Sequence, residues 1–255
     1  MNDYSIRDLE LAGVKWELTD VPMVLRAKWG TATTSTDTKK STNPASNMGV
    51  TVVPPIAPIE TVSVDTAVSM ASRPTDIDNL IRMIGEFNHP LRSAATKTVF
   101  PNIAKNPNGL VIVTDVPSSD DDASGIVLSG GAGELLDKML SAIDMTRDSV
   151  SIVPIIFWRT PGGRTPTADE LALSRPFVNR LLEFLSPKMI LTLGATPATE
   201  IAGIQLSHAH GAISNMENGT PVMSIYHPNY LILKPSAKRD AWNALQELQK
   251  MLKNQ

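Results

Sequence analysis

Gly109-Leu110-Val111-Ile112-Val113-Thr114-Asp115 is the stretch on which the fold turns. Its core is a continuous apolar run, too short for a helix and rich in β-branched residues, and it closes on a carboxylate. Three further runs of the same kind follow, Val150–Trp158, Lys188–Gly194 and Pro221–Tyr226. Strands apolar on both faces suit a parallel sheet covered on both sides.

Helical patterns separate them. Ala132–Ile143 places Leu135, Leu136, Met139, Leu140 and Ile143 on one face, and Ala168–Leu185 does the same with Leu171, Phe177, Val178, Leu181 and Leu182. A shorter helix follows Ala195, and Ser236–Leu252 closes the chain with Trp242, Leu245, Leu248 and Leu252. The β-α alternation predicts a three-layer α/β/α fold around a central, mostly parallel four-stranded sheet.

The ordered domain is expected over residues 75–255. Leu80, Ile81, Met83 and Ile84 make a helix after Asp76, and it ends near Asn88-His89-Pro90, because proline disfavours helical geometry in the residue before it. Residues 31–74 read as a Thr/Ser/Pro-rich linker in which Val52–Ile59 is the apolar part. Residues 1–30 form a short N-terminal segment, and Leu9, Leu11, Val14, Trp16 and Leu18 suit it to an amphipathic helix or to a contact with a protein partner.

Composition narrows the chemistry. The chain has no cysteine, so disulfides, thiolate nucleophiles and cysteine-ligated iron–sulfur clusters are excluded together. A net charge of -3 gives no global attraction to a polyanion, so any DNA contact has to come from a local patch. No stretch approaches the roughly 18 apolar residues of a membrane span. Asp3, Asp8 and Glu10 are foreign to a signal peptide. A monomeric, cytoplasmic protein that meets the nucleoid, with no membrane contact and no cofactor or metal, is the expectation.

In an open parallel sheet, ligands sit beyond the carboxyl ends of the strands. Those ends are Asp115, Trp158, Gly194 and His227. Asp115 leaves its strand into a Pro117 turn, and an Asp there is often only a turn-former. The run Asp120-Asp121-Asp122 reads as a solvated loop. His227 opens a Pro-stiffened loop with Lys234, Lys238 and Arg239 downstream, and its place opposite Asp115 makes the two a candidate reactive pair. Arg159 and Arg164 flank a Gly162-Gly163 turn suited to phosphate, and Thr167 with Glu170 has the spacing of a capping box.

Four ordered motifs carry a resemblance. Ala132-Gly133-Glu134-Leu135-Leu136-Asp137-Lys138-Met139-Leu140, Arg159-Thr160-Pro161-Gly162-Gly163-Arg164-Thr165-Pro166-Thr167, Leu193-Gly194-Ala195-Thr196 and His227-Pro228-Asn229-Tyr230-Leu231 follow one another as in the family-four uracil-DNA glycosylases, in particular the α-proteobacterial type. Thr98-Val99-Phe100 resembles the family's approach to the first strand. The likeness runs from about His89 to Leu252. It implies base-excision repair of DNA, in which a flipped-out uracil is cut from its sugar.

It also implies site roles, and departures from them. Asp115 and His227 fall on the family's catalytic carboxylate and His-Pro motif. The family's Gly-Glu-Ala-Pro-Gly frame falls on Thr114-Asp115-Val116-Pro117-Ser118, in which the carboxylate is one methylene shorter and both glycines have gained side chains. Leu128 stands at the base-stacking Phe and Pro154 at the base-reading Asn, so the base pocket keeps neither the aromatic face nor the amide. The family's cluster cysteines fall near His89, Trp158 and Ser174, which leaves that site to apolar packing. DNA contacts are implied for Arg159, Arg164, His210, Pro228, Asn229, Lys234 and Lys238. Three functions stay open: a glycosylase acting through Asp115 and His227, a glycosylase fold kept for DNA or protein binding, and a pocket adapted to another ligand.

Overall fold

The computed structural model describes residues 62–254. The N-terminal segment 1–30 and the linker up to residue 61 lie outside the described residues. The linker boundary at 74 is corrected: Val64–Ser72 is a helix, α1, capped by the Ser63 side chain. It is short of large apolar residues, and small ones do the packing: Ala67 and Ala71 are buried against the sheet-covering helices. Helix α2, Ile77–Glu86, follows with Asp76 as its N-cap and Leu80 and Ile84 buried.

The four expected strands are present as β1 (Leu110–Thr114), β2 (Ser151–Pro154), β3 (Met189–Leu193) and a parallel partner, Pro221–Ile225. A fifth, Ile213–Asn215, precedes the last of these in the chain, so they are β4 (Ile213–Asn215) and β5 (Pro221–Ile225). The order across the sheet is β2-β1-β3-β5-β4, parallel except for the β4–β5 pair. The expected four-stranded sheet thus gains one short antiparallel edge strand. The other helices are α3 (Ser119–Ser124), α4 (Gly130–Ser141), α5 (Ala168–Leu185), α6 (Ala195–Ala202), α7 (Pro228–Leu233) and α8 (Lys238–Lys253).

Side-chain alternation divides the sheet residues between two cores. Leu110, Ile112, Ile152, Leu191, Leu193, Met223 and Ile225 meet α4, α7 and α8 on one face. Val111, Val113, Val153, Ile190 and Val222 meet α1, α2 and α5 on the other. Fully apolar strands were the signal for this double cover, and both layers are there.

β2 ends at Pro154, four residues before the expected Trp158. Proline offers no N–H to continue the ladder. The Ile155 N–H makes a last bond to the Thr114 carbonyl, 2.9 Å, and the chain then turns inward, where the Phe157 carbonyl accepts the Val99 N–H at 2.8 Å. Ile155, Ile156, Phe157 and Trp158 are all buried.

Candidate active site

β1, β3 and β5 deliver three groups to one sheet edge. Asp115 follows β1 directly, and its Oδ1 accepts its neighbour Val116 N–H at 2.9 Å. Its other oxygen lies over Gly194, at the end of β3: a Cβ there would stand 2.6 Å from Oδ2. Gly194 also has φ 110°, a conformation that side chains resist, so this glycine makes room for the carboxylate.

His227 follows β5 and caps α7. Its Nδ1 accepts the Asn229 N–H at 3.2 Å, which puts the neutral ring's proton on Nε2. Burial holds the imidazole below its usual pKa, opposed by the carboxylates of Asp115 and then Asp121. At neutral pH His227 is therefore an uncharged N–H donor within the electrostatic reach of Asp115.

The acidic run is not a solvated loop. Asp120, Asp121 and Asp122 open α3, and Asp121 and Asp122 are buried. Asp121 closes a capping box with Ser118, accepting its N–H at 2.9 Å, and it also accepts the N–H and hydroxyl of Ser129 at 2.6 and 2.8 Å. It thereby ties the loop after Asp115 to the turn that follows Leu128. Asp122 accepts the Thr96 and Lys97 N–H groups at 2.8 and 3.2 Å. Burial alone would raise its pKa, but these bonds and the charge of Arg159 hold it below the usual value. The signal for Asp121 was present in Ser118-x-x-Asp121, an N-cap spacing hidden inside a run of like charges, whereas the partners of Asp122 lie some 25 residues away.

Thr114, Pro154 and Leu128 are the three positions implied for reading and stacking the base. Thr114 is paired in register with Pro154, and both are buried. Leu128 is 1% exposed at φ 50°, and Arg147 holds its carbonyl and that of Val127. Pro117 is buried and Val116 half-buried. The clefts of 750, 470 and 320 Å³ open elsewhere, and none is lined by these residues.

The residues read as DNA contacts separate into two groups. Asn229, Lys234 and Lys238 are exposed around α7, with Pro228 buried as its first residue. Leu233, at the end of α7, is 84% exposed. Arg159 is half-buried close to Asp122.

Arg164 and His210 have other commitments. Arg164 makes a two-pronged pair with Glu170, at 2.8 and 2.5 Å, and Glu170 shares the expected capping box with Thr167. The Arg164 bonds bring the Glu170 pKa down to about 2 against the cost of burial. His210 stacks on Tyr226, with centroids 4.2 Å apart, and its Nδ1 accepts the Tyr226 N–H at 3.2 Å. Its Nε2 is buried without a hydrogen-bond partner among the described residues. Burial lowers its pKa, more than the nearby Asp240 raises it. Arg164 is thus engaged by Glu170, and His210 by Tyr226.

His89, Trp158 and Ser174, the positions implied for cluster cysteines, are all completely buried or nearly so. His89 stacks on Trp158 with centroids 4.8 Å apart and planes 13° from parallel. Phe87 and Phe157 pack against the same indole. The Trp158 Nε1–H donates to Thr98 Oγ1 at 3.0 Å. His89 accepts the Leu91 N–H on Nδ1 and donates from Nε2 to the Glu170 carbonyl at 3.0 Å, and burial keeps its pKa low. A cluster needs thiolates and space, and these residues supply neither.

The family model for the uracil DNA glycosylase superfamily matches residues 100–249, more than half of the chain. A protein of Archaeoglobus fulgidus named Type-4 uracil-DNA glycosylase is 29% identical over 155 residues, covering 57% of this chain and 78% of its own length. Proteins of the same name match from Thermotoga maritima, 29% over 126 residues (48% of this chain, 66% of the relative), and from Pyrobaculum aerophilum, 26% over 153 residues (56% and 77%).

Proposed function

The chain belongs to the uracil DNA glycosylase superfamily, and from that premise we propose that it hydrolyses the N-glycosidic bond of uracil or a related damaged base in DNA, as a base-excision repair enzyme. The observation that carries this reading is the pair at the sheet edge: a carboxylate seated over Gly194 and, within its electrostatic reach, a neutral imidazole that caps α7.

Each member suits one half of the reaction. As the C1′–N bond breaks, electrons pass to the base, and the His227 Nε2–H meets the negative charge that grows on a carbonyl oxygen. A neutral donor is the right form, because it needs no proton from solvent. One such donor is worth about 10² to 10³ in rate. On the sugar side, Asp115 orients a water toward C1′ and receives its proton as the new C–O bond forms. The departing base anion then takes a proton from solvent.

Contact with DNA is assigned to α7. Leu233 presents an exposed apolar side chain able to enter the space a flipped nucleotide leaves, and Asn229, Lys234 and Lys238 surround it. A net charge of -3 makes such a local patch necessary. In this scheme Arg159 is the remaining cation of the Arg159–Arg164 loop.

A second reading keeps the fold for binding DNA, or a protein through the N-terminal segment, without turnover. It is supported by Leu128 and Pro154, which offer the base neither an aromatic face nor an amide. Incubating uracil-containing single- and double-stranded DNA with excess protein separates the two. Free uracil is expected; intact DNA after prolonged incubation rejects the glycosylase reading and leaves the second.

A further inference from the structure

The Thr114 hydroxyl is 2% exposed at residue level and finds no hydrogen-bond partner among the described residues. Buried hydroxyls are ordinarily satisfied, and one left alone destabilises the fold that contains it. Thr114 is the last residue of β1, directly before Asp115. It is also the register partner of Pro154. Alternation along β1 places its side chain on the face of Leu110 and Ile112, the face that also carries Leu128, Ile225 and Leu231. Thus a polar group that no described residue bonds stands beside the proline that cannot read a base, one strand over.

We infer that Thr114 Oγ1 is the hydrogen-bonding group that reads the flipped base, in place of a side-chain amide at position 154. The inference rests on the glycosylase reading and deepens it by naming the residue that sets base choice. Valine has the shape of threonine without the hydroxyl, and serine keeps the hydroxyl without the methyl. Because a hydroxyl both donates and accepts, it pairs with a carbonyl or with a ring N–H by rotating. It therefore discriminates less than an amide held in one orientation.

The test compares wild type, Thr114→Val and Thr114→Ser by single-turnover release from single-stranded DNA containing uracil or hypoxanthine, and by thermal melting. The expected results are at least about a tenfold slower release of uracil by Thr114→Val, with release by Thr114→Ser within about threefold of wild type. Thr114→Val is also expected to melt about 2–4 °C higher, since it removes an unpaired polar group. A residue that served only the fold would lose stability, not gain it. Wild type is expected to release the two bases at rates within about tenfold of each other, whereas a preference of roughly 10⁴ for uracil contradicts a hydroxyl reader. Release by Thr114→Val at the wild-type rate, or a lower melting point, overturns the inference and leaves the glycosylase reading standing. If wild type releases no base from either substrate, both fall together.

Discussion

Replacing Trp158 by alanine should remove more stability than truncating either His89 or Ser174. The indole is fully buried, lies flat against His89 and is touched by Phe87 and Phe157. Truncating a buried Trp to Ala costs about 3–5 kcal/mol through lost transfer energy and the cavity left behind. The bond to Thr98 Oγ1 adds about 1 kcal/mol. Because domains of this size are stable by about 5–15 kcal/mol, a loss of about 4–6 kcal/mol takes roughly a quarter or more of the total. At about 2–4 °C per kcal/mol, the melting point should fall by roughly 8–24 °C. Trp158→Phe keeps a ring on His89 and loses mainly the indole N–H, so a fall of roughly 2–8 °C is expected. Thermal melting followed by circular dichroism measures both. A Trp158→Ala protein that melts within about 2 °C of wild type refutes the reading of Trp158 as the centre of this aromatic packing.

Acidification and truncation of α7 supply two further checks. Burial lowers the pKa of His89, His210 and His227, so the unfolded chain takes up protons first as pH falls below about 6.5. Stability from these neutral histidines is complete above that pH and is lost as pH drops toward their folded values. The melting point should therefore fall between pH 8 and pH 5, and a flat or rising profile contradicts the burial. Glu170 acts in the same direction at lower pH: its folded pKa of about 2 adds stability above its ordinary carboxylate value, which is lost only as pH falls below that value. Leu233→Ala, at an exposed position, should leave stability within about 0.5 kcal/mol of wild type and slow base release from duplex DNA by about tenfold. Equal release on duplex DNA removes Leu233 from the DNA contact.

How well the sequence could be read depended on how locally each feature is determined. The four parallel strands were legible because burial on both faces demands an unbroken apolar run, and Leu110–Thr114 and Met189–Leu193 lie within one or two residues of their expected bounds. Ile213–Asn215 was not, because it is short and mostly exposed and becomes a strand by pairing with β5. Helix α1 was hidden by its Ser, Thr and Ala content, since Ala67 and Ala71 carry little hydrophobic signal until α5 packs on them. Asp115 and His227 were found because strand termini converge on one edge whatever the loops do. The partners of Asp121, Arg164 and His210 were missed for the converse reason. A charged or aromatic residue read alone has no visible partner, and Ser129, Glu170 and Tyr226 absorb those three only after folding.

The most direct measurement is release of free uracil from single-stranded uracil-containing DNA by wild type and by Asp115→Asn, with protein in excess and melting points recorded for both. The asparagine can still accept the Val116 N–H, so the fold is expected to hold while the charge beside His227 and the water is lost. The account predicts release by wild type and a rate at least about 10²-fold lower in the variant at an unchanged melting point. Undiminished release by Asp115→Asn, or none by wild type, contradicts it.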